Sequence, residues 1–225
     1  MIERLASLAL EATDIDEAAD WYEGRLGLQR HARSVDALYV AVGDTVLGLR
    51  LPTADPPGGQ HVHIAFSTGA DALADWHTRL APDHDITTHA FGSFESLYVT
   101  DPFDHCIEIA NRGSAGGALT AIFEVVLAIA DLDAAIARYE SLGFNTISRS
   151  EDRPRARLTL DSFDLELWEP HRGIADARPG RHVELGFAVV NVEEASQTAR
   201  EAGFDATDDP SVLLDPDGHR LVFRT

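Results

Sequence analysis

From Leu5 to Ala12 apolar and polar positions alternate with the two-residue period of a half-buried strand. The pattern then changes. Asp14 followed by Glu17 three residues on makes a capping box, and Ala18, Ala19, Tyr22 and Leu26 form the apolar stripe of a helix that Gly27 ends. Alternation returns over Val35 to Val42 and Thr45 to Leu51, and Pro56-Pro57-Gly58-Gly59 forces a loop. A second unit repeats the plan with a strand over His61 to Ser67, a helix from about Ala70 to Leu80, and strands near Ile86, Phe94 to Thr100 and Cys106 to Ala110.

The same plan occurs again in the second half. Asp14-Ile15-Asp16-Glu17-Ala18-Ala19-Asp20-Trp21-Tyr22-Glu23 with Leu26-Gly27-Leu28 recurs as Asp131-Leu132-Asp133-Ala134-Ala135-Ile136-Ala137-Arg138-Tyr139-Glu140 with Leu142-Gly143-Phe144. His61-Val62-His63-Ile64-Ala65-Phe66 recurs as His182-Val183-Glu184-Leu185-Gly186-Phe187, and Asp101-Pro102 with His105 as Asp215-Pro216 with His219. Matched blocks in one order define two homologous halves, 1–112 and 120–225, joined by a small-residue linker at 113–119. The predicted architecture is α+β, with four βαβββ modules in two tandem domains.

Alternation also assigns faces. In the first strand Leu8, Leu10 and Ala12 oppose Ser7, Ala9 and Glu11; in the fifth Val62, Ile64 and Phe66 oppose His61, His63 and Ala65; in the last of that half Ile107 and Ile109 oppose Cys106 and Glu108. With the aliphatic faces against helices, His63 and Glu108 point into one concavity. An imidazole and a carboxylate together suit a divalent metal. His61, two residues from His63 on the same face, is a further candidate ligand. Hydrogen-bonded pocket histidines without metal are the competing interpretation, and His182 at the position equivalent to His61 favours it for that residue.

Composition narrows the partners. The chain has 225 residues, 38 acidic and 18 basic, for a formal charge of -20, and every basic residue is Arg. That charge repels nucleic acid and anionic membranes, so neither is an expected partner. Such an acid excess resembles that of halophilic proteins and predicts stability that rises with salt. Cys106 is the single cysteine, the start lacks the apolar run of a secretion signal, and no stretch has the roughly 20 apolar residues of a membrane span, so a cytoplasmic protein is expected.

The helix block Asp14 to Leu28, the His63 strand and the run Ser96 to Ile109 together resemble the vicinal oxygen chelate superfamily, which includes glyoxalase I, type I extradiol dioxygenases, bleomycin and fosfomycin resistance proteins and methylmalonyl-CoA epimerase. Nearly the whole chain is covered. The resemblance implies glyoxalase-like domains with cup-shaped mixed sheets, helices outside, and a metal held by the first, fifth and last strands. At the first-strand ligand position stands Ser7, a poor ligand. Thr87-Thr88-His89, seven residues, Leu97-Tyr98, two residues, Asp101-Pro102 and then Glu108 resemble the extradiol signature, except for Asp104 where that pattern has Gly or Pro. By that likeness the N-terminal half is most similar to catechol 2,3-dioxygenase-type proteins, and His89 and Tyr98 inherit catalytic roles beside the metal.

At the equivalent positions the second half has Glu124 for Ser7, Glu184 for His63 and Val222 for Glu108, while Glu166 matches a glutamate ligand of glyoxalase I. Arg155 and Arg157 alternate onto the face of that cup, so an Arg-Glu network there competes with a cation on Glu124, Glu166 and Glu184. The expected function is metal-dependent chemistry of glyoxalase or extradiol dioxygenase type on a small bidentate oxygen substrate, a catechol-like diol or an enediolate. Fe(II) or Mn(II) is expected ahead of Zn(II). The alternative is a metal-free small-molecule binding protein of the same superfamily. A homodimer is compatible with either.

Overall fold

The computed structural model describes residues 2–52, 62–113, 116–169 and 183–225. The candidate ligand His61 lies outside the described residues, as do most of the loop after residue 51 and the segment 170–182.

Four βαβββ modules follow one another. The first comprises β1 (Ile2–Glu11), α1 (Ile15–Ala19, continued by a π-helical turn Asp20–Arg25), β2 (Gln29–Arg33), β3 (Ala37–Val42) and β4 (Thr45–Arg50); the second β5 (His63–Gly69), α2 (Leu73–Leu80), β6 (Thr87–Phe91), β7 (Phe94–Thr100) and β8 (Cys106–Gly113). The third comprises β9 (Ala121–Ala128), α3 (Leu132–Ser141), β10 (Asn145–Arg149), β11 (Arg155–Leu160) and β12 (Phe163–Trp168); the fourth β13 (Val183–Val189), α4 (Val192–Glu201), β14 (Asp205–Ala206), β15 (Val212–Leu214) and β16 (Arg220–Arg224). The N-cap half of the expected capping box is present: Asp14 Oδ1 accepts the amides of Asp16 and Glu17. The outer strands β2 and β10 carry no apolar alternation and are exposed throughout, which is why periodicity does not reveal them.

The expected α+β architecture of tandem glyoxalase-like units is present, as two eight-stranded mixed sheets. The sheets, however, are not built from the sequence halves. One runs β14-β15-β16-β13-β1-β4-β3-β2 and joins the first and fourth modules, while the other runs β10-β11-β12-β9-β5-β8-β7-β6 and joins the second and third. Antiparallel seams between β1 and β13 and between β5 and β9 hold them together.

The physical reason for this pairing lies at the junction between the halves. β8 runs to Gly113 and β9 begins at Ala121, so the chain turns back directly alongside β5. Described residues in and beside the expected flexible linker bond back to β5. Gly69 N–H donates to Gly116, Thr120 N–H donates to Ser67, and the Arg112 guanidinium lies over the rings of Phe123 at 4.3 Å and Phe94 at 5.2 Å. Gly113 passes so close to the Thr68 carbonyl that a Cβ would meet it at 2.8 Å.

The helix-facing sides of the strands, including Ile64, Phe66, Ile107, Ile109, Val125, Leu127, Leu165 and Leu167, are fully buried and belong to one hydrophobic core that runs through all four modules. Two buried contacts join modules across the sheets. Tyr22 donates to Asp101 at 2.7 Å, and Tyr139 donates to Asp215 at 3.0 Å. The two Asp-Pro turns therefore dock helices as well as shaping the chain.

Candidate metal centre

Strand register sets the site on the exposed-side face of the second sheet. One row across it reads Tyr98, Glu108, Ala65, Glu124, and the next reads Cys106, His63, Val126, Glu166, Arg157. A bulge between Ala65 and Phe66 sets the β9 register at this point, with Glu124 opposite Ala65 and Ile122 opposite Phe66. Phe123 is the extra residue, and it packs with Ala65, Ala110 and Phe94 to close one end of the face.

His63, Glu108 and Glu124 converge, with one ligand atom from each within 4.8 Å of the others. His63 Nε2 lies 3.0 Å from Glu108 Oε2, and the buried Ser96 hydroxyl donates to Glu108 Oε1 at 2.6 Å. Burial works to raise the Glu108 pKa, but hydrogen bonds from His63 and Ser96 outweigh it and hold the carboxyl below its ordinary value. Glu124 behaves oppositely: burial pushes it up to about 8, and Arg157 offsets that only in part against Glu166 and Glu108.

Arg157 Nη2 approaches Glu124 Oε2 to 2.6 Å and Glu166 Oε1 to 3.7 Å, and Arg155 Nη1 lies 3.8 Å from that same Glu166 oxygen. The Glu124 contact is a charge contact without hydrogen-bond alignment, because Oε2 is buried and accepts no hydrogen bond. Trp168 Nε1 donates to Glu166 Oε2 at 2.7 Å.

The donor set fits a divalent cation. Two buried carboxylates and an imidazole supply charge and ligand atoms, and the buried Glu124 oxygen lacks the hydrogen bond that such a group needs elsewhere. Carboxylate-rich sites suit Mn(II) or Mg(II), and the imidazole extends the range to Fe(II) and Zn(II).

The other sequence candidates fall around this centre. Tyr98 is half-buried, its ring 5.7 Å from His63, and burial followed by the Glu108 charge pushes its hydroxyl well up, so it stays a neutral donor toward Glu108. His89 is exposed on β6 and touches Tyr98 edge-on at 5.4 Å, at the rim and one ring removed from the ligand atoms. Cys106 sits on the same face with its thiol pushed up to about 12 by burial and by Glu108 and Asp101, which leaves it unreactive.

Three expectations are corrected. Ser7 does not share this face: it pairs with Gly186 and Val46 in the other sheet, and Glu124 occupies the first-strand position here. The Glu124, Glu166 and Glu184 cluster is divided, since Glu184 lies in the other sheet against Arg50 at 3.1 Å and Arg220 at 3.0 Å. Arg155 and Arg157 consequently face the cup of His63 and Glu108 rather than a separate, disarmed one. The signal available in the sequence was complementarity, because the first half lacks a first-strand ligand and the second half holds spare carboxylates.

Residues 4–109 match the family model of the Glyoxalase/Bleomycin resistance protein/Dioxygenase superfamily. That stretch of the chain is similar to a domain of that superfamily. The fold extends through the rest: glyoxalase I from Zea mays superposes with a TM-score of 0.72 at 18% identity, covering 98% of this chain and 91% of that one. A candidate dioxygenase of Bacillus subtilis subsp. subtilis str. 168 superposes with a TM-score of 0.74 at 15% identity, covering 99% of this chain and 85% of that one. No curated protein sequence matches the chain. Among the described residues no helix is long and apolar enough to cross a membrane.

Proposed function

We propose that the protein is a metal-dependent enzyme of glyoxalase type, with Glu124, His63 and Glu108 holding a divalent cation and Glu166 the carboxylate next to them. The observation that carries this is the convergence of three ligand atoms within 4.8 Å from strands β5, β8 and β9. The substrate class is a small molecule presenting two neighbouring oxygens, such as an enediolate precursor or a catechol-like diol. A bound cation would polarise those oxygens.

The chain's own groups have distinct tasks in this proposal. Ser96 and Tyr98 fix Glu108, so that carboxylate stays in place. Glu124, with an oxygen free of hydrogen bonds, is the group available to take a proton from one carbon and return it to its neighbour. Among the described residues the cluster joins one imidazole to two carboxylates, a donor set that suits proton transfer beside a bound cation. His89 and Tyr98 line the substrate side.

A metal-free binding protein is the second possibility, and the Arg157 contact with Glu124 is the observation that favours it. Elemental analysis of the protein, His63→Ala and Glu108→Ala separates the two. One equivalent of metal in the parent, lost in both variants and accompanied by isomerisation of a 2-oxoaldehyde hemithioacetal, supports the enzyme. Folded parent protein that takes up no Mn(II), Fe(II) or Zn(II) ends it.

A further inference from the structure

The first sheet has a cup of its own, related to the metal centre by the internal repeat. Its equivalent row reads Tyr39, Gly48, Ala9, Glu184, Arg220. At the positions of Glu124, Glu166, His63 and Glu108 stand Ser7, Gly48, Glu184 and Val222, so the ligand set has shrunk to one carboxylate. That carboxylate is already committed: Arg50 Nη2 lies 3.1 Å and Arg220 Nε 3.0 Å from the same Glu184 oxygen.

A cavity of about 400 Å³ remains above this row, lined by Ser7, Ala9, Tyr39, Gly48, Arg50 and Glu184 among others, with Arg224 and His31 also on its wall. The volume is in the range of small-molecule pockets. Its floor is flat and apolar. A Cβ on Gly48 would sit 3.0 Å from the Tyr39 ring and 3.4 Å from the Ala9 methyl, so glycine is what lets that ring lie across the strand.

We propose that this cup is a second, metal-free site, and that it binds a small planar organic monocarboxylate. Glu184 is buried and holds Arg50, on the cavity wall, and its neighbour Arg220 through one nitrogen each, so the other N–H groups of Arg50 are kept in a fixed place for a planar anion. In the lining itself Arg50 and Arg224 against Glu184 leave an excess of one positive charge. Arg220, Glu11 beside Arg50 in register, and Asp209 toward Arg220 and Arg224 stand outside the lining. A single carboxylate balances the charge of the lining, whereas a phosphate dianion exceeds it. The Tyr39 ring and the Ala9 and Gly48 floor suit an aromatic or conjugated body.

The test uses the full chain stripped of metal with a chelator, titrated calorimetrically with sodium benzoate and with the neutral isostere benzyl alcohol at one KCl concentration. Benzoate is expected to bind at one equivalent, and benzyl alcohol at least tenfold more weakly. Arg50→Met should weaken benzoate about tenfold or more, the worth of a charge-assisted hydrogen bond. Gly48→Val, which fills the floor and leaves the arginines in place, should abolish it even if Arg50→Met fails to fold. His63→Ala should bind benzoate as the parent does. Absence of benzoate binding, equal binding of benzyl alcohol, or full binding by Gly48→Val overturns the proposal. Loss of binding in His63→Ala also overturns it, by moving the ligand to the other cup.

Discussion

Replacing Tyr22 and Tyr139 with phenylalanine tests the internal repeat where it is imperfect. Both tyrosines are fully buried and each donates to an aspartate in the module that follows its own. Asp101 has three other donors: the amides of Phe103 and His105 on Oδ1, and His105 Nδ1 at 2.8 Å from Oδ2. Asp215 keeps the two amides, of Asp217 and His219, but His219 turns its Nε2 to the Ala128 carbonyl at 2.8 Å. Among the described residues, Tyr139 is then the sole partner of Asp215 Oδ2. A hydrogen bond to a charged group contributes about 1.5 to 3 kcal/mol. Tyr22→Phe should cost about 1.5 kcal/mol, because Asp101 Oδ2 retains His105, and Tyr139→Phe about 3 kcal/mol. With a urea dependence of roughly 3 kcal/mol per molar, the midpoints should fall by about 0.5 M and 1 M. The effect of Tyr22→Phe also depends on pH. Burial works to raise the Asp101 pKa, but the bonds from His105 and Tyr22 hold it below the ordinary value. A depressed carboxyl contributes stability above its unfolded pKa of about 3.9 and loses it as pH falls through the folded value, so the gap between parent and Tyr22→Phe should be full at neutral pH and shrink below about pH 4. Equal costs for the two variants, or a larger one for Tyr22→Phe, would refute the argument from donor counts.

Three further outcomes are expected. Ser96→Ala removes the 2.6 Å donor to Glu108 and should weaken divalent-metal affinity about tenfold, read by competition with a chromophoric chelator. Arg157→Leu removes the cation that competes at Glu124, and should raise metal affinity at least several-fold while lowering the melting temperature of the metal-free protein, since it takes away the ion-pair partner of Glu124 and Glu166; unchanged values of both would show that Arg157 does not restrain the site. The melting temperature of the parent should rise between dilute buffer and 1 M KCl, where the Debye length falls to about 3 Å and the net charge of -20 is screened.

Faces were legible in the sequence because they depend only on local alternation. Ile64 and Ile107 went to the core, and His63 and Glu108 to one shared surface, as a two-residue period requires. The edge strands β2 and β10 were not legible, because exposed charged residues such as Arg30, Arg33 and Arg149 give no periodic signal. The bulge at Phe123 was likewise hidden: it reveals itself only when β9 has a partner strand against which to count.

The partner strand is also what decided the site. Alternation tells each strand which way its side chains point, but it is silent about which module edge meets which, and tandem halves invite the assumption that each half closes its own cup. Under that pairing His63 and Glu108 face Ser7 and the metal centre is one ligand short, while Glu124 and Glu166 stand with Arg155 and Arg157 in the other half. Crossed pairing brings deficit and surplus together, so that His63, Glu108, Glu124 and Arg157 meet within one sheet. The same exchange leaves Glu184 as the one acid at the ligand positions of the other cup, where Arg50 and Arg220 neutralise it. Buried ionisable groups without partners cost several kcal/mol each, so the location of unmatched ligands in the two halves is itself evidence about long-range strand pairing.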